Sequence, residues 1–246
     1  LDDKFRLSKF FRFISQALIS ILLVTNSYQL NMFEIIIWVS FFIFFINIYN
    51  FMDGIDGLAT SQAIFILVSF IILEDFYSFG TLILFIIPLL VFLFYNLKPS
   101  KIFLGNAGSY MLGMLIAILL FNSTYTTDDI DIFNHISAAL ILLTIFIADS
   151  LYALIARFFY KFRSSNNILL SLSYITTPHN THCYQMLAKK YDNHNKVNLF
   201  LMLYNILWCL PLSIFCQLYI QYSIVFLLLS YIPYFIYCYS NNIGKE

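Results

Sequence analysis

Charge is scarce in this chain. Asp, Glu, Lys and Arg make up 11% of its 246 residues, against roughly 25% in a soluble domain. That shortage excludes a soluble-type binding module, and a formal net charge of zero gives no sign of a nucleic-acid partner. Cysteine is sparse as well. Cys183, Cys209, Cys216 and Cys238 form no CxxC pair, so neither a disulfide framework nor a structural zinc site is expected. Neither an initiator Met nor a signal-peptide pattern opens LDDKFRLSKFF, so a chain starting on Leu1 reads as a fragment whose N-terminal part is missing. What fills the sequence instead is apolar: 61% hydrophobic residues, with 28 Phe and 18 Tyr. An integral membrane protein follows.

The apolar runs predict eight spans, at 13–27, 33–48, 60–74, 79–95, 103–121, 135–156, 199–217 and 222–240. The fold class is all-α, a polytopic transmembrane helical bundle forming a single membrane domain over residues 1–246. With residue 1 on the inner side and the sides alternating, every basic residue falls on an inner segment or, for Arg157, at the inner end of the sixth span. The outer segments hold Glu34, Glu74, Asp75, Asp128, Asp129 and Asp131 but no Lys or Arg. So complete a split supports the span count and a cytoplasmic inner side together. The largest polar piece is a cytoplasmic loop, 159–198, too short for a domain of its own.

Polar chemistry is therefore expected on the inner face. Asp2, Asp3, Asp53 and Asp56 lie there, and Asp149 lies in the inner half of the sixth span. A carboxylate inside a span is costly unless it faces protein or a wet cavity, which marks a functional site. Arg157, eight residues on, shares roughly the same helix face and suits a phosphate. In NFMDGIDG, Asp53 and Asp56 are three apart, and the neighbouring glycines allow a sharp turn. A solvated inter-span turn is one reading of that segment, and a cation or phosphate site is the other. Clustered oxygens on one face suit Mg²⁺.

KIFLGNAGSYMLG begins the fifth span. Gly108 and Gly113 are small enough for tight span packing, while the helix start could hold a phosphate. Asn106 offers an amide oxygen without charge. In TTPHNTHCYQMLAKKY, a helix starting at Pro178 would put His179 and His182 on one face. Two histidines are weak support for a metal. Diphosphate or sugar contacts, or an interfacial helix beside anionic lipid heads, fit that segment as well.

Together these blocks resemble the polyprenyl-phosphate N-acetylhexosamine-1-phosphate transferase family. LDDKF looks like the tail of the family's paired-aspartate segment, and NIYNFMDGIDGLA looks like its asparagine-rich DG-x-DG segment, with Asn47 and Asn50 on polar positions. KIFLGNAGS looks like its F-x-G-D-x-G-S segment, IADSLYALIARF like its acid-and-Arg span, and PHNTHCYQ like its variable histidine motif. At position 106 the chain departs, with Asn where the family usually has the Asp that binds Mg²⁺.

The resemblance implies a membrane enzyme with its active site on the cytoplasmic face of the bacterial inner membrane. It implies transfer of N-acetylhexosamine 1-phosphate from a UDP-sugar to undecaprenyl phosphate, starting an O-antigen, capsule or other wall polymer. Mg²⁺ is the implied cofactor, with Mn²⁺ the alternative. The implied partners are the two substrates, membrane lipid and a second copy of the chain. Asp2 or Asp3 would act as base or orient the lipid phosphate. Asp53, Asp56 and Asn106 would surround the metal. Asp149 and Arg157 would organise nucleotide and phosphate, and His179 and His182 would contact diphosphate or sugar. The competing readings are a catalytically impaired relative, to which Asn106 points, and a transporter of a lipid-linked intermediate.

Overall fold

The computed structural model describes residues 8–73, 79–126, 132–175, 177 and 179–244. Among them every regular element is a helix: α1 (Lys9–Ser27), α2 (Met32–Met52), α3 (Leu58–Ile72), α4 (Phe79–Asn96), α5 (Gly105–Thr126), α6 (Ile132–Leu142), α7 (Thr144–Ser165), α8 (Ile168–Ile175), α9 (Cys183–Tyr191), α10 (His194–Tyr204), α11 (Leu210–Leu218) and α12 (Ser223–Ser240). A π-helical turn, Asn205–Cys209, joins α10 to α11. Six stretches are long and apolar enough to cross a membrane: Phe10–Ser27, Met32–Met52, Phe79–Asn96, Gly105–Tyr125, His194–Leu218 and Ile220–Ser240. The bent pair α6–α7 passes the same test only as a pair, as a broken span or a re-entrant loop, and Leu58–Ile72 is apolar but shorter. The chain is a multi-pass membrane protein with six span-capable helices among the described residues, or seven if the bent pair is one span, where eight spans are expected; the expected span 60–74 falls on the short helix and 135–156 on the bent pair.

The helices form two compact units. One comprises the described residues of Leu1–Gly54 and Leu58–Ile132; the other comprises Ile55–Gly57 with those of Phe133–Glu246.

In the first unit, α1 reverses the pattern of a soluble helix. Gln16, Ser20 and Val24, spaced by four, are buried, while Phe10, Phe13, Leu18 and Leu22 are exposed. Lipid is as apolar as Leu, so small and polar side chains make the helix contacts. Asn31 and Glu34 close a capping box at the start of α2. Trp38 Nε1 donates to Tyr125 Oη at 2.8 Å, tying α2 to α5. Farther along the same pair, a Cβ on Gly113 would stand 2.6 Å from the Phe45 carbonyl oxygen and 2.8 Å from Ile46 Cα. The two backbones meet there. Gly108 does not pack this way, because its Cβ would meet only the side chain of Leu104.

In the second unit the expected sixth span is not one straight helix. It breaks at Leu143, and α6 and α7 diverge by 76°. A break frees carbonyls that water would normally satisfy, and inside a membrane other donors must replace it. Ser213 Oγ donates to Ala138 O at 3.0 Å, Tyr231 Oη to Leu140 O at 3.2 Å, and Thr144 Oγ1 to Ile141 O at 2.7 Å. The π turn has a local cause: Pro211, at the start of α11, has no N–H for the α-helical ladder. The expected loop 159–198 is also largely helical. α7 runs on to Ser165, Asn166 reverses the chain in the left-handed region, and α8, α9 and the start of α10 follow.

Gly113→Val is expected to force α2 and α5 apart, costing about 1–3 kcal/mol as an overpacked contact. Thermal unfolding in detergent checks this, with Gly108→Val expected to be milder because a side chain can yield.

Candidate functional site

Asp53 follows the last turn of α2 as its C-cap, at φ −88° and ψ 49°. Asn106 is the second residue of α5, entered through Gly105 at φ +65°. A side chain would be strained in that left-handed conformation. The loop before Gly105 is pinned by buried Asn96, whose Nδ2 donates to Ile102 O at 2.9 Å. Ser109 Oγ, one turn into α5, donates to Asn50 Oδ1 at 3.1 Å and lies 3.2 Å from Asn106 O. The C-terminal end of α2 and the N-terminal end of α5 are therefore neighbours. The first carries partial negative charge and the second partial positive charge. Asn47, one turn before Asn50, is spent on packing: its Nδ2 donates to Gln16 Oε1 at 2.9 Å and to Ile43 O at 2.7 Å.

The donors gathered here are a carboxylate, amide oxygens and a hydroxyl, with no sulfur or imidazole. Mg²⁺ takes one or two carboxylates, keeps several waters and shares substrate phosphates, so the set suits it. Among the described residues no group of three His, Cys, Asp or Glu is assembled for a metal. Asp2 and Asp3 lie outside the described residues.

The second unit holds Asp149, Arg157, His179 and His182. Asp149 is fully buried in α7 and accepts four hydrogen bonds. His182 Nδ1 stands 3.1 Å from Oδ1, and because a carboxylate can only accept, the ring nitrogen is the donor. Cys183 N donates to Oδ1 at 2.9 Å, Tyr184 N to Oδ2 at 3.0 Å, and Tyr234 Oη to Oδ2 at 3.0 Å. Asp149 thus caps α9 from another helix and turns the Nε2 edge of His182 away from itself. Both its oxygens are committed to the protein, which leaves its effect on a substrate indirect.

The helix does not start at Pro178, which lies outside the described residues. It starts at Cys183, with His182 as N-cap. His179 still meets His182, because the rings stack with centroids 4.8 Å apart. Thr181 Oγ1 lies 3.0 Å from His179 Nδ1, and Lys189 Nζ donates to Asn180 O at 3.2 Å, holding the segment in place.

Arg157 is 1% exposed. Its Nη2 donates to Tyr174 O at 3.0 Å and Thr177 Oγ1 at 2.9 Å, and the guanidinium lies over the Tyr174 ring at 4.5 Å. Nε and Nη1 are buried without a hydrogen-bond partner. Among the described residues no carboxylate pairs with Arg157, and no hydrogen bond joins it to Asp149. Its charge is felt at His179. Burial, then the neighbouring His182, then Arg157 lower the His179 pKa to about 4, while Asp149 opposes them. The net field at this half-buried imidazole is positive.

Asp56 belongs to the second unit and has partners that the sequence reading passed over. His194 Nδ1 lies 3.1 Å from Asp56 Oδ2, and Asn198 Nδ2 donates to Asp56 O at 2.7 Å. The signal was present: His194, Val197, Asn198 and Leu201 share one face of an amphipathic turn behind the cap residue Asn193. Counting 159–198 as loop hid it.

The sequence model described as glycosyl transferase family 4 matches residues 1–124, and the chain belongs to this family. Over 184 residues it is 29% identical to the probable undecaprenyl-phosphate N-acetylglucosaminyl 1-phosphate transferase of Bacillus subtilis (strain 168), covering 65% of this chain and 49% of that protein. Over 143 residues it is 34% identical to the phospho-N-acetylmuramoyl-pentapeptide-transferase of Dictyoglomus thermophilum, covering 53% and 42%. The protein of that name from Petrotoga mobilis is 42% identical over 74 residues, covering 30% and 23%. The chain spans about half the length, or less, of these curated relatives. No solved structure matches it.

Two outcomes are expected. Asp149→Asn puts an amide donor against N–H donors, and breaking such a buried network costs about 3–5 kcal/mol. Thermal unfolding should show the loss, with faster amide exchange over 179–185. His179 should titrate near pH 4 in isotope-labelled protein, and added pyrophosphate should move the midpoint up. The ordinary histidine value is 6.5. As pH falls from 6.5 toward 4 the unfolded chain binds a proton that the folded chain refuses. Stability conferred by the neutral ring therefore declines in that window.

Proposed function

We propose that this chain transfers N-acetylhexosamine 1-phosphate from a UDP-N-acetylhexosamine to undecaprenyl phosphate, releasing UMP and starting a lipid-linked cell-surface glycan. Family membership and the names carried by the relatives support the reaction class. The observation that carries it to this site is the buried guanidinium of Arg157, which pairs with no carboxylate among the described residues, near two stacked histidines. A desolvated cation without a carboxylate calls for an anion, and a nucleotide diphosphate supplies one.

Phosphoryl transfer needs charge neutralisation and alignment more than covalent help from the protein. In the first unit, Asp53 and Asn106 are the proposed Mg²⁺ ligands, with Mn²⁺ suited by the same oxygens. Asn50 holds Ser109 beside Asn106. When bound, the ion neutralises phosphate charge as a Lewis acid. In the second unit Arg157 supplies fixed positive potential, and His179 and His182 present imidazole edges to the diphosphate or sugar. Asp149 keeps His182 in place. Asp2 or Asp3 is assigned to the lipid phosphate. The basic ends of the spans support a cytoplasmic active face at the bacterial inner membrane. Asn106 favours one rival, a copy impaired in metal binding, since an amide brings no charge to a hard cation.

The test is lipid-dependent UMP release from UDP-N-acetylglucosamine and related UDP-sugars, by the protein expressed from its complete gene. Release by the natural protein is expected, with Asp53→Asn lowering it at least ~100-fold without loss of folded protein. Asn106→Asp should lower the Mg²⁺ concentration for half-maximal rate about tenfold, the effect of ~1.4 kcal/mol. Activity only in Asn106→Asp would identify an impaired copy. Silence in both, across all sugars and with folding verified, would overturn the transferase reading.

A further inference from the structure

Asp56 lies in the short turn between α2 and α3. Gly57, the next residue, is at φ +81°, and α3 begins only at Leu58. Helix α10 holds that turn from two points. His194 Nδ1 is 3.1 Å from Asp56 Oδ2 and 3.3 Å from Asp56 N, while Asn198 Nδ2 donates to Asp56 O at 2.7 Å. His194 and Asn198 are four apart, so one helical face meets the carboxylate and the carbonyl of a single residue. Nδ1 serves one of these contacts at a time: carrying the proton it donates to Oδ2, the shorter contact and the charge-assisted one, and the Asp56 N–H is then not bonded to it.

The clamp is itself fixed. Asp192, in the left-handed region, ends α9, and Asn193 Oδ1 accepts from Lys196 N at 3.1 Å, so two residues join α9 to α10. Val197 and Leu201, on the face that carries Asn198, are buried. Asn198 Oδ1 is buried with no hydrogen-bond partner, so flipping the amide would set oxygen against the Asp56 carbonyl oxygen. Ile55–Gly57 also groups with the second unit rather than with its neighbours in sequence.

We infer that His194 is a positioning residue for the reaction. Through Nδ1 it fixes the rotamer of Asp56, while Asn198 fixes the main chain, so that Oδ1 is the carboxylate oxygen left to face substrate. The kinetic part of this inference rests on the transferase reading; the clamp does not.

The substitutions separate the roles by geometry. Asn places its amide nitrogen where histidine has Nδ1, whereas Gln places it where histidine has Nε2. His194→Asn should keep kcat within about threefold of the natural protein. His194→Gln and His194→Ala should lower kcat about 10–100-fold, as loss of a supporting partner does, with KM for the UDP-sugar unchanged. Equal loss in all three would overturn positioning through Nδ1. In the complete protein, amide exchange over 54–58 should quicken in His194→Ala/Asn198→Leu and stay slow in His194→Asn. Unchanged exchange in the double variant would overturn the clamp. Asn198→Leu alone gives the same readout where His194→Asn does not fold. If the natural protein releases no UMP, the transferase reading fails, and the exchange result still decides the clamp.

Discussion

Asp149 accepts four hydrogen bonds where no water reaches it. A buried carboxylate is tolerated only when donors satisfy it, and here they come from His182, from the first two amides of α9 and from Tyr234 on α12. Satisfying this one group therefore fixes a loop, a helix start and the last span together. The stacked pair His179–His182 follows, because His182 cannot turn without leaving the carboxylate. Arg157, two turns along α7, is then held beside that pair by Tyr174 and Thr177. Burial lowers the His179 pKa most, and Arg157 acts in the same direction while Asp149 opposes it.

The two units carry different sets of polar groups. The first offers hard oxygens where the end of α2 meets the start of α5. The second offers a cation, two imidazoles and Asp56 under the control of α10. Only residues fixed in advance provide them without reorganisation. Burial of Gly113 against the α2 backbone serves the same end, since it sets how the two helix ends of the first unit lie.

Much of this was legible in the sequence. Hydrophobic run length and the one-sided placement of Lys and Arg located the crossings, and Asp149 stood out because a span seldom carries an acid. The break at Leu143 was not legible. No Gly or Pro marks it, and two of the hydroxyls that satisfy its carbonyls come from Ser213 and Tyr231, some 75 to 91 residues away. Within 159–198 the histidine segment was legible as a helix, but the helices on either side of it, among them the one carrying His194, are too short for a clear period. Asp149 was expected to work beside phosphate, but pattern alone cannot distinguish an acid that meets a ligand from one that caps a distant helix.

The proposed binding of the nucleotide diphosphate by the second unit depends on the charge of Arg157. It is tested most directly by comparing affinities for UDP-N-acetylglucosamine and for uridine in the natural protein and in Arg157→Met, with helical content verified. At least a ~tenfold loss is expected for the nucleotide sugar, about 1.4 kcal/mol, with little change for uridine, which has no phosphate. Equal affinity of both proteins for the nucleotide sugar would contradict it and leave Arg157 as a brace for the Tyr174–Thr177 turn.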